Sequence, residues 1–129
     1  MQTLIICLFI AALLPLLAKL PLAVSMHRNK GGYDNKHPRD QQARLTGFGA
    51  RALAAHQNAF EALLMFAVAT ITALATNHVT PGVEIAAMVF VVARVLYNIC
   101  YLVNQDILRS TTWLVGIVSS FYILYQCLG

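Results

Sequence analysis

Four long apolar segments alternate with polar connections along the chain. They cover about residues 3–26, 47–76, 82–103 and 107–128, and each approaches the roughly 20 residues that a helix needs to cross a bilayer. Uninterrupted apolar runs of this kind indicate helices, whereas the strands of a membrane barrel alternate apolar and polar residues. The pattern therefore predicts four membrane-spanning helices.

The connections predict how these helices are arranged. Residues 27–46 form one long polar loop, whereas residues 77–81 and 104–106 are short. Short connections force the second, third and fourth helices to be antiparallel neighbours. We expect an all-α membrane protein with a single domain over residues 1–129, built as a four-transmembrane-helix bundle.

The composition agrees with this class. Of the 129 residues, 59% are hydrophobic and 11% are charged, and the mean hydropathy is +0.67. An average soluble domain has roughly 25% charged residues. The chain therefore lacks the polar surface of a water-soluble domain.

The first segment has an alternative interpretation as a cleavable signal peptide. Its apolar part is too long for one, no basic residues precede it, and no small-x-small cleavage site follows it. A retained helix is favoured, and we expect Pro15 and Pro21 to kink it.

The basic residues predict the orientation in the membrane. Five of the nine Lys and Arg residues lie within residues 27–46, the 77–81 connection has none, and Arg109 lies beside the third connection. The positive-inside rule places the loops 27–46 and 104–106 in the cytoplasm and both termini on the opposite side. No aromatic or Gly-rich pattern accompanies the basic cluster, so we expect no nucleic-acid partner.

The cysteines and histidines predict no metal site. Cys7, Cys100 and Cys127 are odd in number and lie in apolar runs, which is typical of buried free thiols. The four histidines show no paired ligand spacing.

The first half of the second segment is unusually polar for a membrane helix. It contains Arg51, His56, Gln57, Asn58 and Glu61. An unpaired charge at mid-bilayer costs on the order of 3 kcal/mol. Glu61 and Arg94 lie roughly 27 and 22 Å from the connection that joins their two helices. We therefore expect these two residues to form an ion pair inside the bundle.

Further polar residues share helix faces in the same half of the bundle. Helical spacing groups them as Arg51, Asn58 and Glu61; Arg94, Tyr97 and Tyr101; and Arg109, Trp113 and Gly116. Two interpretations stay open: an interhelical hydrogen-bond network, or a pocket for an anionic ligand. The second rests on three arginines facing a single glutamate.

Three stretches resemble the membrane-associated proteins in eicosanoid and glutathione metabolism (MAPEG). The stretch "RALAAHQNAFE" is similar to the family's helix-two motif, "ARVLYNICYL" to a helix-three motif and "LRSTTW" to a helix-four motif, and the loop "GGYDNKHPRDQQARLTGFGARA" looks like the compact bacterial branch. The matching residues are Arg51, His56, Asn58, Glu61, Arg94, Tyr97, Tyr101, Arg109 and Ser110.

The resemblance implies an assembly and a ligand. It implies a homotrimer in a bacterial inner membrane, with periplasmic termini and the second helix lining the trimer core. Glutathione, as co-substrate, would lie between neighbouring subunits in the cytoplasmic half. A hydrophobic small-molecule substrate would enter from the membrane lipid.

The resemblance also implies roles for individual residues. Arg109 would stabilise the thiolate and lower its pKa by opposite charge, with Ser110 as a hydrogen-bond donor, so these two form the catalytic pair. Glu61 would lie near the amino end of the tripeptide, and Arg28 would contact a carboxylate. The implied glutathione-binding set is Arg28, Arg51, Asn58, Glu61, Arg94, Tyr97 and Tyr101.

The chain departs from the family pattern at several positions. Ala54 and Gln57 stand where enzymatic members commonly carry arginines, Tyr97 replaces a histidine, and Trp113 replaces an aromatic hydroxyl. Two functions therefore compete. The retained residues favour a glutathione transferase or peroxidase for hydrophobic electrophiles or lipid hydroperoxides. The departures favour a non-catalytic lipid-binding or scaffold member.

Overall fold

The computed structural model describes all residues 1–129 and consists entirely of helices and connections. The helices are α1 (Gln2–Arg28), α2 (Pro38–Ala43), α3 (Gly47–Ala75), α4 (Pro81–Leu102) and α5 (Asp106–Tyr125). Four of them, α1, α3, α4 and α5, are long and apolar enough to cross a membrane. The predicted four-helix membrane architecture is confirmed. The six-residue helix α2 within the polar loop was not predicted.

The two short connections are compact turns built by asparagine. Asn77 and Asn104 each follow the end of a helix and adopt a left-handed conformation, with φ of 59° and 62°. In each case the next residue donates its N–H to the carbonyl five residues back, at 2.9 and 2.8 Å. This is the geometry of a Schellman turn, in which asparagine tolerates the left-handed φ. The polypeptide therefore reverses sharply between α3 and α4 and between α4 and α5.

The spans consequently alternate in direction. The 29–46 segment and the turn around Asn104 lie at one end of the bundle, which we call the loop end. The turn around Asn77 lies at the other end. There the N-terminal ammonium of Met1 pairs with Glu84 Oε1 at 2.6 Å, which fastens the start of α1 to the start of α4.

The core is built from small residues and one aromatic pair. Phe66 of α3 and Phe90 of α4 stack with ring centroids 3.9 Å apart and planes 2° from parallel. Small side chains let membrane helices approach closely where no hydrophobic effect drives them together. The core residues are Leu4, Cys7, Ala11, Phe66, Ala69, Ala73, Val83, Ala86, Ala87, Phe90 and Ile123.

Helix α1 is an integral part of this bundle. Leu4, Cys7 and Ala11 lie in the core, as expected for a retained helix. Near its middle, the carbonyl oxygen of Pro15 accepts a hydrogen bond from His56 Nδ1 of α3 at 2.9 Å. Because a carbonyl can only accept, this nitrogen carries the proton.

Candidate functional site

Arg94 is the most deeply buried charged residue of the protein. It lies on α4 in the loop-end half of the bundle, and only 2% of its surface is exposed. Its Nη2 donates to the side-chain oxygen of Asn58 at 2.7 Å and to the backbone oxygen of the same residue at 3.4 Å. Gly116 of α5 leaves room for this side chain, because a Cβ there would lie 3.3 Å from Arg94 Cδ.

Asn58 also links Arg94 to Glu61. Its Nδ2 donates to Glu61 Oε2 at 2.8 Å, so the amide lies between the guanidinium and the carboxylate. The predicted direct ion pair between Glu61 and Arg94 is wrong, since the ion pairs of the protein are Met1–Glu84 and His37–Asp34. The depths inferred for the two charges differ by roughly 5 Å, about one helical turn. Asn58 lies one turn before Glu61 on α3, and its side chain bonds to both charged groups.

Two tyrosines continue the cluster toward the loop end. The Arg94 guanidinium lies 4.0 Å from the centre of the Tyr97 ring, and the Tyr97 and Tyr101 rings meet edge to face at 5.6 Å. The Arg109 guanidinium of α5 lies 4.6 Å from the Tyr101 ring. Each cation–aromatic contact stabilises by about 0.5–2 kcal/mol, depending on how far it is desolvated.

These contacts form one continuous series across α3, α4 and α5, which we call the polar relay. Its members are Glu61, Asn58, Arg94, Tyr97, Tyr101 and Arg109. All six belong to the predicted site. The relay carries two guanidiniums and one carboxylate, so its net charge is positive.

A cavity of about 130 Å³ opens beside the relay. Glu61, Asn58 and Arg94 form its polar wall, and Trp113 lies at its edge with 42% of its surface exposed. The apolar wall consists of Ala62, Met65, Phe90, Gly116 and Ile117, with Ser120 beside them. The structure thus contains a hydrogen-bond network and a cavity beside it, while the anionic ligand inferred from the sequence stays a prediction.

The other predicted site residues lie outside this cavity. Arg51 is half-buried, with its guanidinium 5.9 Å from the ring of Phe48, and its Nε is buried without a hydrogen-bond partner. Arg28 is exposed at the end of α1, and Ser110 is exposed on α5. A single protomer therefore does not gather Arg28, Arg51 and Ser110 with the relay.

Sequence reasoning missed several residues that line the cavity. Phe90 precedes Arg94 by four residues and Ser120 follows Gly116 by four, so each shares a helix face with a residue already singled out. That spacing could have found both of them. Asn98 was also missed: its Nδ2 donates to the backbone oxygen of Arg94 at 3.0 Å, and its Oδ1 is buried without a partner.

The comparisons with known proteins identify one family. The family model described as MAPEG family matches residues 3–129, which is nearly the whole chain. Among curated proteins and among solved structures, no significant match is found. The matched range includes all four spans and every residue of the polar relay.

Proposed function

Because the chain belongs to the MAPEG family, we propose that it is a glutathione-dependent membrane transferase or peroxidase. Its second substrates are hydrophobic electrophiles or lipid hydroperoxides. The family includes glutathione transferases, peroxidases and enzymes of eicosanoid synthesis. The observation that carries the proposal is the polar relay in the loop-end half of the bundle, which extends from Arg109 to Arg94, and Arg94 lines the cavity.

The charges of the relay complement those of glutathione. The tripeptide carries two carboxylates and one ammonium group, and its thiolate adds a third negative charge. Glu61 is exposed and lies at one end of the relay, where it can accept the ammonium group. Arg51 has a buried Nε with no partner, and a carboxylate acceptor would satisfy it.

The chemistry assigned to Arg109 is stabilisation of the thiolate. An opposite charge within about 4–6 Å lowers a pKa by about 1–3, which raises the thiolate fraction at neutral pH. With an electrophile, the thiolate sulfur forms a C–S bond while the leaving group departs with its electron pair. With a hydroperoxide, the thiolate sulfur attacks the outer oxygen and the O–O bond breaks, which gives a sulfenic acid and an alkoxide that takes a proton from water to become the alcohol. A second thiol then converts the sulfenic acid to a disulfide and water.

The geometry of one protomer supports a homotrimer with shared sites. A cavity of about 130 Å³ is well below the roughly 300 Å³ of typical small-molecule sites, so one protomer supplies only part of a glutathione site. The outward face of α3 also carries the exposed polar residues Gln57 and Glu61. Polar groups in a span face protein or a cavity rather than lipid. A neighbouring α3 is the partner that we propose for this face.

The proposed orientation brings both substrates to the relay. With the basic loop in the cytoplasm of a bacterial cell, glutathione reaches the loop end from the aqueous phase. The apolar substrate arrives through the lipid, past the exposed edge of Trp113. Both termini would then be periplasmic.

Formation of the thiolate tests the enzyme proposal. Purified wild-type protein mixed with millimolar glutathione at neutral pH should show the ultraviolet absorption band of a thiolate. Arg109→Ala should reduce the band at least about tenfold, because the opposite charge that lowers the pKa is lost. Arg109→Lys, which keeps the charge, should retain part of it. Arg39→Ala, a change at an exposed loop arginine, should leave it intact.

The alternative function is a non-catalytic lipid-binding or scaffold protein. Trp113 favours it, because an indole without a hydroxyl lies at the edge of the cavity beside Arg94. This function would be supported by two results together. Wild-type protein would show no thiolate band, and it would bind a fluorescent fatty acid with an affinity that Trp113→Ala lowers.

A further inference from the structure

The loop between α1 and α3 is folded and held against the end of α1. Gln41 of α2 makes three hydrogen bonds within it. Its Nε2 donates to the backbone oxygens of Met26 at 3.0 Å and Gly32 at 2.8 Å, and its Oε1 accepts from Asp34 N–H at 2.9 Å. The side chain of Gln41 therefore holds α2 against the end of α1 and against the turn that contains Gly32 and Asp34.

Two further contacts fix the same loop. Tyr33 packs on the buried cluster around Leu22 and Met26. Asp34 Oδ1 accepts from the backbone N–H groups of Lys36 and His37, both at 2.9 Å. These donors hold the pKa of Asp34 below its usual range, so the turn stays closed with its carboxylate ionised.

The folded loop encloses an open bowl of about 990 Å³. Of its twelve lining residues only one is hydrophobic. Lys30, Lys36 and Arg44 line it, and none of the three forms an ion pair. Two carboxylates, Asp34 and Asp40, also line it, and Asp34 accepts backbone N–H groups. With His37 neutral, three cations face two carboxylates, so the lining carries a net charge of +1.

The bowl adjoins the ends of two membrane spans, α1 and α3. Its residues begin directly after the last turn of α1 and end three residues before α3 begins. Tyr33 beside it is the type of residue that settles at the membrane–water interface. Clusters of basic residues immediately next to a membrane helix attract anionic lipids, by about fivefold in affinity per Lys or Arg.

We propose that this bowl binds the phosphodiester headgroup of an anionic phospholipid from the leaflet at the loop end. Lys30, Lys36 and Arg44 surround the phosphate, and the amides of Asn29 and Asn35, which also line the bowl, are donors for its ester oxygens. A lipid is favoured over a soluble anion because the bowl adjoins the ends of two membrane spans, where lipid headgroups are concentrated. The site is separate from the polar relay and does not depend on thiol chemistry.

Native mass spectrometry of the purified full-length protein tests this site. Phosphatidylglycerol and phosphatidylcholine with identical acyl chains are added separately to detergent micelles, and retained lipid is counted. Wild-type protein should prefer phosphatidylglycerol. Lys30→Gln/Lys36→Gln should lower phosphatidylglycerol affinity about 25-fold and leave phosphatidylcholine unchanged.

Two matched variants test whether the folded bowl, and not only the net charge of the protein, binds the lipid. Arg28→Gln/Arg39→Gln removes the same charge from the loop end of the bundle, but neither arginine lines the bowl. It should cause a much smaller loss, and an equal loss would overturn the proposal. Gln41→Leu keeps every charge but removes the hydrogen bonds that shape the loop. It should also lower phosphatidylglycerol retention, and wild-type retention would show that the folded bowl is not the site.

A competition experiment distinguishes the lipid from a soluble anion. Glycerophosphoglycerol, the headgroup without acyl chains, should fail to displace phosphatidylglycerol at equal concentration. Displacement would identify the bowl as a site for soluble anions and reject the lipid proposal. Equal retention of the two lipids by wild-type protein would reject it as well. Thermal melts of all variants check that the helices remain folded.

Discussion

The buried Arg94 guanidinium is hydrogen-bonded to the side chain of Asn58. Asn58 Oδ1 accepts from Arg94 at 2.7 Å, and Asn58 Nδ2 donates to Glu61. Asn58→Leu should destabilise the protein by about 1.5–3 kcal/mol, the usual contribution of a hydrogen bond to a charged group. Chemical unfolding in mixed micelles, followed by circular dichroism, measures this loss.

A double-mutant cycle shows whether Asn58 is responsible for the energetic coupling between Glu61 and Arg94. Glu61→Gln and Arg94→Gln should be coupled in the wild-type background, within the 0.5–3 kcal/mol range of residues that share a network. In the Asn58→Leu background the coupling should fall to about zero. Coupling that survives without the amide would indicate that the two charges interact directly.

Gly116 controls the position of the same guanidinium. A Cβ at this residue would lie 3.3 Å from Arg94 Cδ, so Gly116→Ala should push the arginine toward the cavity. Overpacking of this kind costs about 1–3 kcal/mol, and glutathione affinity should fall with it. Ser119→Ala, on the same helix, is the control, because the Ser119 hydroxyl bonds only to its own helix. Calorimetric titration and thermal melts compare the two, and equal behaviour would contradict the role of Gly116.

At the scale of elements, α1 and α3 are joined by one polar contact between backbone and side chain. His56 Nδ1 donates to the Pro15 carbonyl at 2.9 Å within an otherwise apolar interface. His56→Phe keeps a ring of similar shape but removes the donor. It should cost about 0.6–1.7 kcal/mol, the range found for polar contacts between membrane helices. His37→Phe, at an exposed loop histidine, should change stability little in the same unfolding assay.

The spans were predictable from the sequence because their signal is local. Length and uninterrupted apolarity located all four helices, and the observed ends differ from the predicted ones by no more than three residues. Helix α2 was not predicted because its six residues, PRDQQA, carry no apolar period. The signal for a membrane helix comes from about 20 residues, whereas a short polar helix has no such pattern.

The contacts between elements were only partly predictable. Residue counts placed Glu61 and Arg94 at similar depth, but the structure links them through the side chain of Asn58 and not by a direct ion pair. Tyr101 and Arg109 lie four residues either side of Gln105, so counting places them at one level, and the two do meet. Helix rotation and tilt are set by packing, which sequence spacing does not contain.

At the scale of the whole molecule, the outward faces of α3 and α4 differ in chemistry. The exposed side chains of α4 are apolar along its length, including Ile85, Val92 and Ile99. The exposed face of α3 is apolar only in its second half and carries Gln57 and Glu61 before it. A uniformly apolar face fits lipid, whereas a face with a carboxylate at depth needs a protein neighbour. This contrast is why we propose α3 as the side on which protomers associate.

A bulky substitution on each face tests that assignment. Leu64 of α3 and Val92 of α4 lie at similar depth and are 65% and 58% exposed in the protomer. Leu64→Trp should wedge neighbouring protomers apart, because a close helix interface has no room for an indole. Native mass spectrometry should then show species near 14.1 kDa, whereas wild-type protein and Val92→Trp should show three times that mass. The thiolate band should disappear together with the trimer if, as we propose, a second protomer completes the glutathione site. A wild-type mass for Leu64→Trp, or a thiolate band from its monomer, would contradict the shared site.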